Sequence, residues 1–442
     1  MASDEDTIFA LSSAPGRAAV AIIRISGARA RAIGTVFGCA LPSPREIGLR
    51  KLRDGTRMID QALVLVFDKP HSYTGEDVVE LQIHGGRSVY DSVILCLVER
   101  AGFRFAEPGE FSRRAVLNGR LDLTAAEAVN DLVNAETEAQ RQLALTQLDG
   151  GLAGKFEAWA HNILQVRAHI EAYIDFPDEE MPLTVIEKLT ESLAISLGSM
   201  GSFLDDKHKG ERLRDGLRIA VIGPPNAGKS TLINWLADRE VAIVSKHAGT
   251  TRDVIEVHLD LGGYPVVVAD TAGLRAGGDE VEIEGMRRAR DWADRADLRV
   301  LLLDATVRGL GDPIGHGLVD GDLVLVNKVD LVDRVPDWPG SLPVSMARGD
   351  GLVQALERLT TLAREMMDVG GQPMMTRTRH RAALLRCRES VERALGGLNA
   401  EVSPEIVAED LRVAADDLGR VTGRVDVEAL LDVVFRDFCI GK

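Results

Sequence analysis

The spacing of apolar residues changes along the chain and divides it into four stretches. From residue 7 to about 118, short apolar runs are separated by Gly and Pro, a pattern typical of strands in a compact α+β domain. The predicted strands cover residues 19–25, 62–67 and 78–83.

The second stretch has a helical period. The segment Thr124-Ala-Ala-Glu127 matches a capping box, in which the Thr hydroxyl and the Glu carboxylate satisfy the first free amides of a helix. No proline occurs between Pro108 and Pro177. Long helices are predicted from apolar residues that recur at helical spacing, namely Ala128, Val129, Leu132, Val133, Ile163, Leu164, Val166 and Ile170.

The third stretch alternates strands, a Gly-rich loop and helices. Apolar runs at residues 217–222, 266–270, 300–304 and 323–327 mostly end in a polar residue, as buried parallel strands with functional carboxyl ends do. From residue 376 the pattern is helical again. The interpretation is a multidomain α/β protein in which an α/β unit interrupts one helical domain, with segments 1–118, 119–214, 215–370 and 371–442.

Composition and charge narrow the functional classes. The 442 residues leave room for about three domains, and an apolar share of 45% supports proper cores. A net charge of −16 argues against wrapping nucleic acid over the whole surface, although a local basic patch is compatible with it. Four widely spaced cysteines and an acidic start of the sequence favour a soluble, intracellular protein without a membrane span.

The segment Gly223-Pro-Pro-Asn-Ala-Gly-Lys-Ser230 matches a phosphate-binding loop between a strand and a helical run at residues 231–236. Its glycines let backbone amides close around phosphates. Lys229 places a charge on the β- and γ-oxygens, and the Ser230 hydroxyl reaches Mg²⁺.

Further segments indicate a guanine nucleotide switch. Asp270-Thr-Ala-Gly273 ends a strand, where a carboxylate can hold Mg²⁺ through water and the Gly amide can meet a γ-phosphate. Asn327-Lys-Val-Asp330 ends another strand, and its Asp can accept two hydrogen bonds that guanine offers and adenine does not. Ser345-Met-Ala347 stands where such GTPases usually have Ser-Ala-Lys, and either Thr250 or Thr251 supplies the threonine expected on Mg²⁺.

The residue after this Asp-Thr-Ala-Gly segment is Leu274, which cannot orient the attacking water as a glutamine does. Asn226 is a candidate for holding a monovalent cation beside the phosphates. Asp279, Glu280 and Glu282 are candidates for orienting water.

The whole chain resembles the MnmE (TrmE) family of tRNA-modification GTPases. The residues that carry the resemblance are Pro15-Gly-Arg17, Arg24-Ile-Ser-Gly27, Thr74-Gly-Glu-Asp-Val78, His84-Gly-Gly86, Pro108-Gly-Glu-Phe111, Leu121-Asp-Leu123, Ile174-Asp-Phe-Pro-Asp-Glu-Glu180, Gly249-Thr-Thr-Arg-Asp253, Asp270-Thr-Ala-Gly-Leu-Arg275 and Phe438-Cys-Ile-Gly-Lys442.

The resemblance implies a cytoplasmic homodimer joined through N-terminal domains that bind a tetrahydrofolate derivative, in the 5-formyl or 5,10-methylene form. It implies a discontinuous helical domain with an inserted Ras-like GTPase domain built on a mostly parallel sheet. It also implies a flavoprotein partner of the MnmG (GidA) type, with which the pair adds a carboxymethylaminomethyl-type group to C5 of the wobble uridine of certain tRNAs.

In that family K⁺ activates GTP hydrolysis, and the resemblance assigns residues to that role. Asn226 and loop groups at Ser245, His247 and Thr250 match the K⁺ ligands, while Glu282 matches the acid that orients water. The implied GTP, Mg²⁺ and K⁺ contacts are Asn226, Ala227, Gly228, Lys229, Ser230, Thr231, Ser245, Lys246, His247, Ala248, Gly249, Thr250, Thr251, Asp270, Thr271, Ala272, Gly273, Asn327, Lys328, Asp330, Ser345, Met346 and Ala347.

For the folate, Arg24, Glu80, Arg120 and Lys442 fall at the family's contact positions. A carboxylate suits the pterin, and basic groups suit the glutamate tail. Cys439 is a candidate thiol for the uridine chemistry, and His84 is a further candidate. The chain departs from many relatives at Arg120, which replaces a lysine, and at Ile283-Glu284 after the proposed water-orienting acid.

Two other classes compete with this interpretation. A GTP switch in ribosome assembly would need a basic RNA-binding appendage, and the nearest basic run is Arg377-Thr-Arg-His-Arg381 with Arg386 and Arg388. A dynamin-like membrane GTPase would need an apolar or polybasic lipid-contacting segment, and none is apparent. Folate binding distinguishes the three classes, because only the tRNA-modification enzyme requires it.

Overall fold

A computed structural model of the chain describes the residues 6–175, 183–239, 241–243, 256–270, 292, 294–307, 318, 321–335, 338, 340–400, 402–425, 431–432, 434–436 and 438–441, with the backbone alone at 183 and 270. The chain forms two compact units. The first comprises residues 1–133, 147–198 and 383–442, and the second comprises residues 134–146 and 199–382.

The first unit contains a six-stranded sheet and several helices. Its strands are β1 (Ile8–Leu11), β2 (Ala18–Ser26), β3 (Ile47–Asp54), β4 (Arg57–Phe67), β5 (Val78–Gly85) and β6 (Arg104–Phe105). Its helices include α1 (Ile33–Val36), α2 (Arg87–Leu95), which continues as a π-helical turn at Cys96–Arg100, and α3 (Glu110–Leu117). The three strands predicted here lie within β2, β4 and β5, so those predictions are confirmed.

The strand order is β3-β4-β5-β2-β1-β6, with antiparallel pairs except β1 with β6. Alternate residues of each strand face the core, as in the buried series Ile23, Ile25 on β2 and Leu81, Ile83 on β5. The same alternation puts positions 20, 22 and 24 of β2 and 80, 82 and 84 of β5 on the other face. That face therefore carries Arg24, Glu80 and His84, which the sequence analysis identified as candidate functional residues.

Several helices lie wholly or partly in the first unit, and the longest of them follows a seven-residue apolar repeat. They are α4 (Leu123–Asn134), α5 (Glu138–Leu148), α6 (Gly151–Asp175), α7 (Leu183–Leu204), α11 (Thr378–Asn399) and α12 (Pro404–Thr422), of which α4, α5, α7 and α11 cross the boundary between the units. Buried positions on α6 are Leu152, Phe156, Trp159, Ile163, Val166 and Ile170. The alternating spacing of four and three keeps one apolar stripe facing its neighbours, and α6 packs against α12. The predicted long helices are confirmed.

The capping box predicted at Thr124 is wrong in its details. Helix α4 begins at Leu123, and Asp122 is its N-cap, because its Oδ1 accepts from the Ala125 amide at 2.9 Å. The Thr124 hydroxyl donates to the same carboxylate oxygen at 2.6 Å. A charged oxygen two residues earlier outcompetes the Thr124 hydroxyl for the free amides.

The second unit holds the other sheet, in the order β12-β11-β10-β7-β9-β8. Its strands are β7 (Leu217–Ile222), β8 (Glu256–Leu261), β9 (Tyr264–Asp270), β10 (Leu298–Asp304), β11 (Leu323–Asn327) and β12 (Leu342–Pro343). Its helices are α8 (Lys209–Asp215), α9 (Lys229–Ala237) and α10 (Leu352–Met367). All neighbouring strands are parallel except β8 with β9.

This sheet confirms the four strands predicted for the third stretch. A core of Val, Leu and Ile side chains covers it, and α9 and α10 contribute to that core. Together the two sheets and the long helices confirm a multidomain α/β fold with a mostly parallel sheet in the second unit. The four-segment domain boundaries stay a prediction. Among the described helices, none is long and apolar enough to cross a membrane.

Candidate functional site

The phosphate-binding loop occupies residues 223–228, between the end of β7 and the start of α9. Its outer glycines lie where no side chain fits. A Cβ on Gly223 would lie 2.1 Å from the Leu302 carbonyl oxygen, and one on Gly228 would lie 2.5 Å from Asn327 Nδ2. Both have positive φ, and so does Asn226 at 64°. The loop is thus wedged against β10 and β11, with exposed Asn226 in a left-handed conformation.

Lys229 is buried at the first position of α9. Its ammonium donates to the carbonyl oxygens of Gly223 at 2.7 Å and Pro224 at 2.9 Å. The loop therefore curls around a positive charge, and the N-terminus of α9 adds its own partial charge. Anionic phosphate oxygens suit this arrangement. Ser230 and Thr231 follow on the exposed side of the helix.

Asn327 joins three segments that the sequence analysis placed around the nucleotide. Its Nδ2 donates to the Ala227 carbonyl oxygen at 2.7 Å, and its Oδ1 accepts from the Met346 amide at 3.1 Å. The contact at position 346 uses the backbone, so a methionine side chain does not disturb it.

Asp330 lies in the 3₁₀ turn Val329–Leu331 that follows β11. Its Oδ1 accepts from the Ser345 hydroxyl at 2.6 Å, and this hydrogen bond lowers the pKa of Asp330 below its usual value. A charged carboxylate acceptor is what the donor edge of guanine requires.

Asp304, to which the sequence analysis assigned no role, contacts this pocket at the end of β10. Its Oδ2 accepts from the Lys328 ammonium at 2.6 Å, and its Oδ1 accepts from the Thr306 amide and hydroxyl. Burial acts to raise the pKa of Asp304, but the hydrogen bonds from Lys328 and Thr306 outweigh it and leave the pKa lowered. The sequence contained one sign of this role, because Asp304 is a polar residue at the carboxyl end of a buried parallel strand.

Several predicted site residues lie outside the described residues. These are Ser245, Lys246, His247, Ala248, Gly249, Thr250, Thr251, Thr271, Ala272, Gly273, Glu282 and Lys442. Asp270 is described by its backbone alone, as the last residue of β9.

A second cluster of predicted residues lies on the N-terminal sheet. Arg24 of β2 pairs in register with Glu80 of β5, and Arg24 Nε donates to Glu80 Oε1 at 2.9 Å. Both side chains are mostly buried, with 19% and 17% exposed. The Arg24 guanidinium also lies 5.1 Å from the ring centre of Tyr73 and 5.8 Å from that of Phe111. Two aromatic rings and a carboxylate thus hold this cation.

Arg120 lies near the same part of the sheet. A Cβ on Gly75 would lie 3.2 Å from Arg120 Cγ, and Gly75 has a φ of +79°. The turn at residues 73–75 therefore contacts Arg24 through Tyr73 and approaches Arg120 at Gly75. The structure brings three of the four predicted folate residues to one turn and its neighbouring strands.

A buried ionic network supports that turn, and the sequence analysis missed it. Arg114 donates to Glu76 at 3.0 Å and to Glu110 at 2.9 Å, and Arg104 donates to both oxygens of Glu110. Glu76 in turn accepts from Ser26 at 2.6 Å. The Pro108-Gly-Glu-Phe111 motif contains Glu110, but a motif does not reveal its partners.

The segment around Cys439 lies against the N-terminal sheet within the same unit. The Gly109 amide donates to the Cys439 carbonyl oxygen at 3.3 Å, and the Ser12 hydroxyl donates to the Gly441 carbonyl oxygen at 3.2 Å. The Cys439 side chain is exposed. Ala10, next to Leu11 at the end of β1, pairs with Arg24. The segment thus reaches the strand beside the Arg24–Glu80 pair.

His84 forms a separate pair with Asp60. Its Nδ1 lies 2.7 Å from Asp60 Oδ1, and its amide donates to Asp60 Oδ2 at 2.8 Å. The carboxylate is nearly buried while the imidazole is exposed.

A buried parallel sheet, a loop closed around a lysine, and an aspartate set for guanine define a P-loop GTP-binding domain. The family model described as "MnmE helical domain" matches residues 123–439, and that described as "GTP-binding protein TrmE N-terminus" matches residues 7–120. The chain belongs to the MnmE family of tRNA modification GTPases.

Named relatives match along the full length. The chain is 50% identical to the tRNA modification GTPase MnmE of Rhodospirillum rubrum over 456 residues, covering 99% of each chain. It is 49% identical to that of Parvibaculum lavamentivorans over 440 residues, covering 99% of this chain and 100% of the relative. Among solved structures, the G domain of the T. maritima FeoB iron transporter aligns with 33% of this chain and 98% of its own, at 20% identity and a TM-score of 0.25. The full-length relatives identify the protein as a GTP hydrolase of tRNA modification.

Proposed function

We propose that this protein is a K⁺-activated, cytoplasmic GTPase that acts with a flavoprotein of the MnmG type on C5 of the wobble uridine of certain tRNAs. The group added is of the carboxymethylaminomethyl type, and a tetrahydrofolate derivative binds the N-terminal domain. The observation that carries this proposal is the shared location of the Arg24–Glu80 pair and the Cys439 segment in the first unit, apart from the GTP pocket in the second. The proposal includes the predicted domain boundaries, which fall after residues 118, 214 and 370.

The folate proposal rests on the chemistry of the N-terminal cluster. Glu80 offers carboxylate oxygens to the amide edge of a pterin, and the ion pair with Arg24 orients that carboxylate. Arg120 and Lys442 supply positive charge for the glutamate tail. A ligand with donors at one end and carboxylates at the other matches this set of residues.

The proposed GTP hydrolysis assigns separate roles to the groups of the second unit. Lys229 and the loop amides bind the phosphates, Asp330 selects guanine, and Ser230 with Thr251 would hold Mg²⁺. The metal neutralises charge on the β- and γ-phosphates. Glu282 orients the attacking water in place of the glutamine that Leu274 replaces. Asn226, with Ser245, His247 and Thr250, holds K⁺.

An apolar surface supports the proposed homodimer. The face of the N-terminal sheet opposite its core carries Ile47, Leu49, Leu63 and Val20, whose exposed fractions are 63%, 56%, 37% and 50%. Register places Leu49 beside Leu63, and Ile47 beside Leu65. Contiguous exposed apolar side chains, such as Ile47, Leu49 and Leu63 on neighbouring strands, mark interaction sites. A second copy of the N-terminal domain would cover them.

Binding of 5-formyltetrahydrofolate to a Glu80→Gln variant tests the folate site. We expect a ten- to hundredfold loss of affinity, about 1–3 kcal/mol, because pterin donors lose a charged acceptor. The control is Glu99→Gln, which removes an exposed carboxylate of the same domain. Equal affinities of the wild type and Glu80→Gln in calorimetric titration would refute the site.

Replacement of KCl by NaCl at equal ionic strength tests the cation. We expect turnover to fall by an order of magnitude or more, roughly 1.4 kcal/mol in the barrier. Asn226→Gly keeps the positive φ and removes the carboxamide, so it should abolish the difference between the two salts. Equal rates of the wild type in both salts contradict K⁺ activation.

A further inference from the structure

The β3–β4 hairpin is a basic segment in an acidic protein. Between residues 50 and 57 it carries Arg50, Lys51, Arg53 and Arg57, against a single carboxylate at Asp54, while the whole chain has a net charge of −16. Lys51 and Arg57 are exposed, and Arg53 is half-buried. Asp54 is bound by Arg100, which brings a fifth cation to the same end of the hairpin.

These cations have no carboxylate partners of their own within the described part of the chain. Arg50 donates to the Ala40 and Leu49 carbonyl oxygens, and Arg53 donates to the Thr56 carbonyl oxygen at 3.4 Å. At the hairpin tip, the ion pair among the described residues joins Asp54 to Arg100. The positive charge of this end therefore stays available to an external anion.

Two arginines on helices of the first unit behave differently. Arg393 on α11 binds Asp410, and Arg412 on α12 binds both Glu409 and Asp416. A phosphate that approached either helix would compete with carboxylates already in place. The hairpin therefore differs from these two helices in the availability of its positive charge.

We propose that the basic end of the β3–β4 hairpin contacts the phosphate backbone of tRNA. A protein with this net charge repels a polyanionic substrate at long range, so productive contact requires a local positive surface. The hairpin belongs to the N-terminal sheet that also carries the Arg24–Glu80 pair. A contact there would keep the substrate on the unit proposed to modify it, and this inference rests on that proposed function.

The apolar face assigned to the dimer does not compete with this contact. Ile47 and Leu49 lie at the start of β3, Lys51 is the next exposed residue on the same face, and Arg53 and Arg57 flank the turn at the other end of the hairpin. Four residues of extended chain separate Leu49 from Arg53, about 13 Å. One end of the hairpin can thus pack against protein while the other meets RNA.

The test compares two double variants with the same change of net charge. Lys51→Gln with Arg57→Gln removes two unpartnered cations, and Arg393→Gln with Arg412→Gln removes two that are bound to carboxylates. Affinity of the full-length chain for an unmodified tRNA transcript is measured over a range of KCl concentrations. Circular dichroism and the thermal unfolding midpoint of each variant check that the first unit remains folded.

We expect the hairpin variant to reduce the salt dependence of log K by about two units. At 0.1 M salt its affinity should fall roughly ten- to a hundredfold. The helix variant should stay within about twofold of the wild type. The charge-preserving pair Lys51→Arg with Arg57→Lys should bind as the wild type does, because the contact is electrostatic.

An unchanged salt slope in the hairpin variant overturns the proposal. If the variant aggregates while the salt dependence of its tRNA affinity is unchanged, the proposal is also overturned. The charges would then serve only to prevent edge-to-edge pairing of strand β3. A wild-type chain without salt-dependent tRNA binding also overturns it. Failure of the proposed function would look different: folate binding would be absent while the hairpin still governed tRNA affinity.

Discussion

At the scale of single residues, the proposed guanine pocket contains polar side chains that each have two partners. Asn327 bonds the phosphate loop with its amide nitrogen and the Met346 amide with its oxygen. Asp304 bonds Lys328 and Thr306. Because these groups are largely buried, removal of one partner leaves another unsatisfied, and the cost exceeds that of a single hydrogen bond.

Asp330→Asn should lower GTP affinity by on the order of 10²-fold or more, because the donor edge of guanine loses its carboxylate acceptor. Binding is measured with a fluorescent GTP analogue. Asp333→Asn, an exposed change two residues beyond the turn, serves as the control. An intact protein that bound ATP and GTP equally would contradict the assignment of this pocket to guanine.

Asp304→Asn should weaken GTP and GDP alike, roughly three- to tenfold, and leave kcat unchanged. The lost charge-assisted hydrogen bond frees Lys328 from its position beside the base site. A double-mutant cycle with Lys328→Met provides the control. If the two changes add without coupling, Asp304 does not act through Lys328.

At the scale of elements, helix α3 is joined to the sheet by charges rather than by apolar contacts alone. Glu110 at its first position accepts from Arg104 and Arg114, and Arg114 also reaches Glu76 in the turn before β5. Burial acts to raise the pKa of Glu110, but the hydrogen bonds from Arg104, the Glu107 amide and Arg114 lower it to about 2. The folded state therefore favours the ionised carboxylate strongly.

This shift predicts an acid-dependent loss of stability. Because the folded pKa is about 2 and the usual value is 4.5, the stabilisation is complete above pH 4.5 and disappears as the pH falls toward 2. It amounts to about 3 kcal/mol. Glu110→Gln should lose this contribution at pH 7 and show a flatter acid limb in denaturant unfolding followed as a function of pH. If the unfolding free energies of the wild type and Glu110→Gln fell in parallel with pH, other groups would be responsible for the acid-dependent loss of stability.

The start of helix α4 gives a second prediction at this scale. Asp122→Ala should cost about 1 kcal/mol, because the Ala125 amide loses its cap. Asp122→Asn keeps an oxygen acceptor and should cost less. The thermal unfolding midpoint compares the variants. Equal losses in Asp122→Asn and Asp122→Ala would show that the charge, not the capping acceptor, is the main contribution.

At the scale of the whole molecule, the predicted activities reside in different units. Deletion of residues 439–442 removes the Cys439 and Gly441 contacts with Gly109 and Ser12, which lie in the first unit. We expect tRNA modification to be lost in cells and GTP hydrolysis to remain largely intact. The assays are mass analysis of tRNA nucleosides and phosphate release. Cys439→Ser separates the role of the thiol from that of the segment, and normal modification by the truncated protein would refute a role for either.

The sequence by itself determined the elements and much of the nucleotide chemistry. The phosphate loop and Asn327-Lys-Val-Asp330 are contiguous, so residue type and spacing alone predict where each backbone amide and carboxylate lies relative to its neighbours. The strands were equally predictable, because alternation and buried apolar runs are local patterns. Family resemblance added Arg24, Glu80 and Arg120, but not how they are arranged.

Only the tertiary structure decided which distant groups meet. Strand register pairs Arg24 with Glu80 across 56 positions of sequence, and it brings Asp304 beside the strand that leads to Lys328. The network of Glu110, Arg114 and Glu76 and the contact of Gly441 with Ser12 arise in the same way. At Asp122, competition between two nearby oxygens for the same amides gave a different cap from the predicted one. The physical reason is common to these cases: a hydrogen bond depends on distances and angles between groups that only folding brings together, and no local pattern contains them.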